Sequence, residues 1–183
     1  MKLLQAVCAI VLAGLASSSA QAHTVIDGVG GFQGGLLHPL LVPAHALALV
    51  ALGLLTGNQS PRGRVTLVLA FVAGLAVSFA LVSLAFSTAN AELIVLAFAG
   101  VTGLLLASGR HPPFFVGVPV AAFAASAIVF DSVPAVPSVQ DTVLSLGGTA
   151  IAATLIVAVT ALLSAALPQR WRGISGKWYS DNS

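Results

Sequence analysis

The chain has 183 residues, of which 58% are hydrophobic and 7% are charged, with a formal net charge of +2. Soluble domains carry roughly a quarter charged residues, so this composition excludes a water-soluble surface and indicates a membrane protein. The basic residues stand singly and form no patch or stripe, which excludes a nucleic-acid partner.

Residues 1–22 have the pattern of a signal peptide. Lys2 precedes an apolar stretch at residues 3–15, and Ala20-Gln21-Ala22 matches a cleavage site. The apolar stretch is shorter than the about 20 residues that a membrane span needs, so we expect cleavage rather than an uncleaved anchor helix. The one cysteine, Cys8, lies in this segment. The mature chain would therefore have no thiolate metal ligand.

Residues 23–35 are expected to form a glycine-rich segment in the periplasm. Cleavage would make His23 the first residue, so its α-amine and its imidazole could bind one metal ion together. Asp27 follows four residues later, and the glycines between residues 28 and 35 would let the segment fold back over the membrane-embedded part. The alternative is a terminus with no binding role.

Residues 36–167 contain five apolar runs that can cross, or nearly cross, a hydrocarbon core about 30 Å thick. Segments rich in glycine, proline and asparagine separate them. The sequence therefore predicts an all-α, polytopic transmembrane helix bundle of about five spans after signal-peptide removal, with a tail at residues 168–183. The five runs cover residues 36–55, 65–86, 91–108, 114–130 and 143–167.

Small residues recur four positions apart in several of these runs. Such pairs let the backbones of two helices approach closely inside a membrane. We therefore expect helix packing at the pairs 31 and 35, 70 and 74, 103 and 107, and 121 and 125.

The orientation follows from placing the mature N-terminus outside the membrane. The loops after the first, third and fifth spans then lie in the cytoplasm, together with the C-terminal tail. These parts contain every basic residue of the mature chain, as the positive-inside rule requires. We therefore expect a bacterial inner-membrane protein with a periplasmic N-terminus and a cytoplasmic C-terminus. The basic residues are Arg62, Arg64, Arg110, Arg170, Arg172 and Lys177.

Two histidines, His38 and His45, enter the first span. Seven residues turn a helix by about 700°, so both imidazoles would project from one face about 10 Å apart in depth. That separation is too large for one chelating site, and it predicts either two stations along one path or one site at each level that other helices complete. Pro43 lacks the amide that would bond the Pro39 carbonyl, which indicates a break in the helix between the histidines. The alternative places His38 among the lipid headgroups and has His45 hydrogen-bond a neighbouring helix.

Three carboxylates fall on the predicted outer side of the bundle. Glu92 opens the third span, where an acid complements the helix dipole, although it is also a candidate ligand. Asp131 follows the fourth span, where the dipole disfavours an acid, so it is the better candidate. Asp141 is expected to cap the last helix. Imidazole and carboxylate together suit borderline divalent ions such as nickel, cobalt, copper and zinc.

The signal peptide, His23, Gly31-Phe32, and His38-Pro39 followed by His45 resemble the HupE/UreJ family of hydrogenase and urease accessory membrane proteins. The resemblance implies a permease or accessory protein for nickel or cobalt, with His38 and His45 as the metal-handling residues. The family signature is H-P-x-x-G-x-D-H, and this chain has Val42 and Ala44 in place of its glycine and aspartate.

The family also has a second histidine-rich stretch, of the form H-G-x-A-H-G, after the fourth helix. This chain has Asp131 there and no histidine. It is therefore expected to be a divergent member that either has an altered metal preference or has lost transport and kept the scaffold.

Three functional hypotheses follow. The first is a permease or accessory protein that takes a divalent metal from His23 and Asp27 to His38 and then His45, for a metalloenzyme maturation system. Its cargo would be Ni²⁺ or Co²⁺, with copper and zinc remaining open, and it would hold no resident cofactor. The second is a non-transporting structural or assembly subunit of a larger membrane enzyme complex. The third, haem ligation by His38 and His45, would need a partner histidine that no other predicted span has. No catalytic motif is present, so we expect no enzyme activity.

Overall fold

The computed structural model describes residues 31–84, 91–107, 113–133 and 138–167, and most of these residues lie in α-helices. The predicted all-α fold is confirmed, since the described residues contain no strand. In chain order the helices are α1 (Gly31–Leu41), α2 (Pro43–Gly57), α3 (Pro61–Ser83), α4 (Ala91–Ala107), α5 (Phe114–Asp131) and α6 (Val139–Ala166).

Two of these helices, α3 and α6, are long and apolar enough to cross a membrane by themselves. The helices α1 and α2 reach that length only as a pair, and a bend of 72° separates them. The remaining helices are apolar but shorter, with 17 residues in α4 and 18 in α5. The five predicted apolar runs therefore all correspond to helical segments, and the first run is a broken one.

The break lies where the sequence analysis expected it, at Pro43. Val42 has an extended backbone conformation, and Pro43 begins the new helix at a position that needs no amide donor. On the α1 side, the Val42 amide still donates to the His38 carbonyl at 3.0 Å. The chain therefore bends between two well-formed helices, and α1 starts five residues before the predicted run.

Serine caps explain why two helices start before their apolar runs. The side chain of Ser60 accepts a hydrogen bond from the Gly63 amide at 3.2 Å, and Ser138 does the same for the Asp141 amide at 3.1 Å. The expectation that Asp141 caps the last helix is therefore wrong. Asp141 lies in the first turn of α6, where its Oδ2 accepts a hydrogen bond from the Ser138 hydroxyl at 2.6 Å.

The helices pack through glycines and alanines at their crossing points. A Cβ added to Gly74 of α3 would lie 2.7 Å from the carbonyl oxygen of Ala122 on α5, and one added to Gly53 of α2 would lie 2.6 Å from the Cβ of Thr160 on α6. Ala121 and Ala125 are fully buried. By contrast, a Cβ on Gly103 would meet nothing within 4 Å. The small residues at 74, 121 and 125 thus pack as predicted, and Gly103 does not.

The core lies around α2, which contacts α1 and each of the helices α3 to α6. Its buried side chains include Leu49 and Leu52, and Phe71 of α3 and Ile128 of α5 join the same cluster. Large apolar side chains on the outer faces of the helices are exposed, as expected for surfaces that face lipid. The N-terminal turn of α2 and the C-terminal end of α5 lie at the same end of the bundle, because His45 contacts Asp131 there.

Candidate metal centre

The bend between α1 and α2 brings the two histidines of the broken helix together. His38 lies in the last turn of α1, and His45 lies in the first turn of α2. Their ring centroids are 5.0 Å apart, with the ring planes at 74° to each other. The prediction that the two imidazoles are too far apart to bind one ion is therefore wrong, because it assumed a straight helix.

Asp131, the last residue of α5, completes the cluster. Its Oδ2 lies 2.8 Å from Nε2 of His45. His45 is fully buried and Asp131 is 8% exposed, so this polar contact is well shielded from solvent. The prediction placed Asp131 just after the helix, whereas the residue ends the helix and turns its carboxylate toward α2.

The helix ends explain how the bundle accommodates a carboxylate at this position. The C-terminal end of α5 disfavours an acid, since the helix dipole is negative there. However, the contact with His45 places the carboxylate beside the first turn of α2, where the dipole favours an anion. The positive end of one helix therefore offsets the negative end of another.

The three side chains form a group that could hold a metal ion. Each of His38, His45 and Asp131 offers one ligand atom, and these atoms lie within 4.8 Å of one another. Two ligands bonded at about 2.1 Å to one ion are at most about 4.2 Å apart. The widest-spaced ligand atoms would therefore have to approach by at least about 0.6 Å for the group to close around an ion.

The hydrogen bonding of His45 leaves one ring nitrogen available to a cation. When Nε2 carries the ring proton, it donates to Oδ2 of Asp131, and Nδ1 keeps its lone pair. Nδ1 is buried and has no hydrogen-bond partner within the described residues. A buried acceptor without a partner costs roughly 1–3 kcal/mol, which coordination of a cation would recover. A carboxylate that accepts the other ring N–H is a common arrangement behind metal-binding histidines.

His45 is more buried than His38, and burial stays high along the face of α2 that follows His45. His38 is half-buried, and His45 is fully buried. Beyond His45, Leu49 and Leu52 lie on the same face of α2, where they are 0% and 1% exposed. The cluster is therefore most open beside His38, and apolar side chains close it on the α2 side.

The other predicted site residues lie elsewhere. Glu92 is half-buried in the first turn of α4 and does not belong to the group of three. His23 and Asp27 lie outside the described residues. All three members of the cluster were therefore predicted as candidate ligands, but at separate depths in the bundle. The Pro43 break was the signal that could have indicated their convergence.

Comparison with known proteins identifies a family. The family model described as HupE / UreJ protein matches residues 10–178. No curated protein and no solved structure matches the chain significantly. The match includes all the described helices and the three clustered side chains, and the family is associated with nickel or cobalt handling for hydrogenase and urease maturation. The chain is a helical membrane protein that belongs to the HupE/UreJ family.

Proposed function

We propose that the protein is a membrane permease or accessory protein that handles a divalent transition metal for the maturation of a metalloenzyme. One observation carries this proposal: His38, His45 and Asp131 offer ligand atoms within 4.8 Å of one another in a shielded position. We propose nickel and cobalt as the metals because the family is associated with them. The ion would be cargo, with no resident cofactor and no catalytic role.

The chemistry of the three side chains supports a borderline divalent ion. Imidazole nitrogens bind nickel, cobalt, copper and zinc, whereas magnesium and calcium prefer sites built from oxygen alone. His38 and His45 would supply the imidazoles. Asp131 would balance the charge of the cation, either on the ion itself or from behind His45 through the Nε2 hydrogen bond.

The proposed location is the bacterial inner membrane, with the N-terminus in the periplasm and the C-terminus in the cytoplasm. A cation arriving from the periplasm would meet His23 and Asp27 first, then the half-buried His38, and finally His45. Leu49 and Leu52 would then block it on the α2 side. Passage to the cytoplasm would therefore require α2 to move against its neighbours.

Metal binding by the purified chain tests this proposal. Equilibrium dialysis against Ni²⁺ and Co²⁺ should give saturable binding by the parent, and the variant with both His38→Ala and His45→Ala should lose it. His111→Ala removes an imidazole from the predicted cytoplasmic loop and serves as the matched control, with binding unchanged. Equal binding by the double variant and the parent would contradict the proposal.

A second candidate function has one observation in its favour. The buried His45 already has a hydrogen-bond partner on another helix, so the pair could serve only to hold α2 against α5. The protein would then be a non-transporting assembly subunit of a larger membrane complex. Purification under mild detergent separates the two functions, since a stoichiometric partner together with unchanged metal uptake in a deletion strain would favour the subunit.

A further inference from the structure

Helices α1 and α6 touch through their backbones. A Cβ on Gly148 of α6 would lie 2.8 Å from the Leu36 amide nitrogen and still closer to the Phe32 carbonyl oxygen. A Cβ on Gly35 of α1 would collide with the carbonyl group of Ser145. Ordinary nonbonded contacts lie at roughly 3.5–4.0 Å, so no side chain larger than hydrogen fits at either position while the helices keep this distance.

A hydrogen bond joins the same two helices at the same level. The hydroxyl of Thr149 donates to the Gly35 carbonyl oxygen at 3.2 Å, and this contact is buried. Because the atoms opposite both glycines belong to the backbone, a change of rotamer cannot relieve an added methyl group. An alanine at position 35 or 148 would therefore push α1 away from α6.

The position of α1 determines where His38 lies. His38 follows Gly35 by three residues, which is about one helical turn. His45 and Asp131 are held by their own hydrogen bond between α2 and α5, in which α1 takes no part. The bend of 72° between α1 and α2 means that α1 does not continue the α2 axis. The contact with α6 therefore helps to hold His38 against the other two side chains.

We propose that Gly35 and Gly148 are positioning residues for the metal centre. They determine how many imidazoles can bind a divalent cation. When α1 packs against α6, both His38 and His45 can bind the cation. When α1 is displaced, His45 is the one imidazole of the pair that can bind it. This inference rests on the proposed function, since the bound cation is the proposed cargo.

The test measures Co²⁺ binding to the full chain in detergent, by affinity and by visible absorption. Gly35→Ala and Gly148→Ala should each weaken binding by on the order of tenfold to a hundredfold, which is the loss typical when a group that orients a metal ligand is removed. The Co²⁺ absorption bands should shift to those of His38→Ala. Gly34→Ala and Gly147→Ala are the matched controls, because a Cβ on either residue meets nothing within 4 Å. Both should bind Co²⁺ like the parent.

A double-mutant cycle separates positioning from a general loss of structure. In the His38→Ala background, Gly148→Ala should have no further effect on Co²⁺ affinity, because the glycine acts through His38. If its full effect persists in that background, the inference is wrong. If Gly148→Ala fails to fold, Thr149→Val gives the milder test, since it removes the hydrogen bond to Gly35 and keeps the shape. Thr149→Val should then weaken Co²⁺ binding in the parent background only.

The outcomes also distinguish this inference from the proposed function. If His45→Ala abolishes Co²⁺ binding while both glycine variants bind like the parent, the positioning role is wrong and the proposed function stands. If the parent itself binds no Co²⁺ or Ni²⁺, the proposed function fails and the positioning role fails with it.

Discussion

Nε2 of His45 lies 2.8 Å from Oδ2 of Asp131, although 86 positions separate the two residues in the chain. The contact joins the start of α2 to the end of α5 inside an apolar bundle. It also supplies His45 with a carboxylate, whereas position 44, where the family signature has aspartate, is an alanine. Asp131, which follows the fourth predicted span, therefore places a carboxylate beside the histidine of the first span.

Substitutions at Asp131 should separate the effect of its negative charge on metal binding from the effect of its hydrogen bond with His45. Asp131→Asn keeps an oxygen that can accept from Nε2 of His45, so we expect Co²⁺ affinity to fall by about tenfold to a hundredfold with little change in the absorption bands. Asp131→Ala leaves Nε2 without a partner in a buried position, and should lower the free energy of unfolding by about 1–3 kcal/mol. Affinity, absorption and thermal unfolding in detergent check these results.

Glu92→Gln is the matched control for Asp131→Asn, because it neutralises a half-buried carboxylate outside the group of three. It should leave Co²⁺ affinity unchanged. Loss of the Co²⁺ absorption bands in Asp131→Asn would show instead that the carboxylate coordinates the ion directly.

The metal preference should follow from the imidazole ligands. We expect Ni²⁺ and Co²⁺ to bind, Cu²⁺ to bind more tightly than either, and millimolar Mg²⁺ or Ca²⁺ not to displace them. Competition dialysis measures this order. Displacement of Co²⁺ by Mg²⁺ at comparable concentration would indicate a site built from oxygen ligands and would contradict the role of His38 and His45.

Two N-cap serines provide a matched test of orientation. Ser138 precedes α6 on the predicted periplasmic side, and Ser60 precedes α3 on the predicted cytoplasmic side, and both are exposed. In a mature chain from which the predicted signal cleavage has removed Cys8, Ser138→Cys should react with a membrane-impermeant maleimide in intact spheroplasts. Ser60→Cys should react only after lysis. Reversed labelling would overturn the orientation and the proposed entry of the cation from the periplasm.

Glycine-to-alanine substitutions should have opposite effects on stability at two positions. Gly74→Ala forces a methyl group against the backbone of Ala122, and should lower the free energy of unfolding by about 1–3 kcal/mol. The Cβ that Gly100→Ala adds meets nothing within 4 Å. This substitution should raise the free energy of unfolding by up to about 1 kcal/mol, because alanine favours the helix. Thermal unfolding in detergent measures both, and a similar loss of stability in the two variants would contradict the packing described here.

The sequence predicted the number and order of the apolar helical segments, because a long apolar run has few alternatives to a helix in a membrane. It also named His38, His45 and Asp131, since ionisable side chains are rare and costly in such runs. That they lie together was not predicted, because the seven-residue spacing of the two histidines was converted to a distance along a straight helix axis. A bend of 72° changes that distance, and a proline indicates a break without indicating its angle.

The starts of α3 and α6 were missed for a different reason, whereas α4 and α5 begin at the first residue of their predicted runs. The apolar runs were taken as the whole helices, but α3 and α6 begin after polar caps that precede those runs. Ser60 followed by Pro61, and Ser138 with Asp141 three residues later, are both local patterns for a helix start. The close contact of Gly35 and Gly148 has no comparable local pattern, because it depends on how α1 crosses α6.

The unequal helix lengths have a consequence for the surrounding bilayer. At 1.5 Å per residue, the 28 residues of α6 extend about 42 Å, whereas the 18 residues of α5 extend about 27 Å. A helix longer than the hydrocarbon core, which is about 30 Å thick, fits by tilting, whereas a shorter helix thins the bilayer around it. Acyl chains beside α5 would therefore be compressed relative to those beside α6.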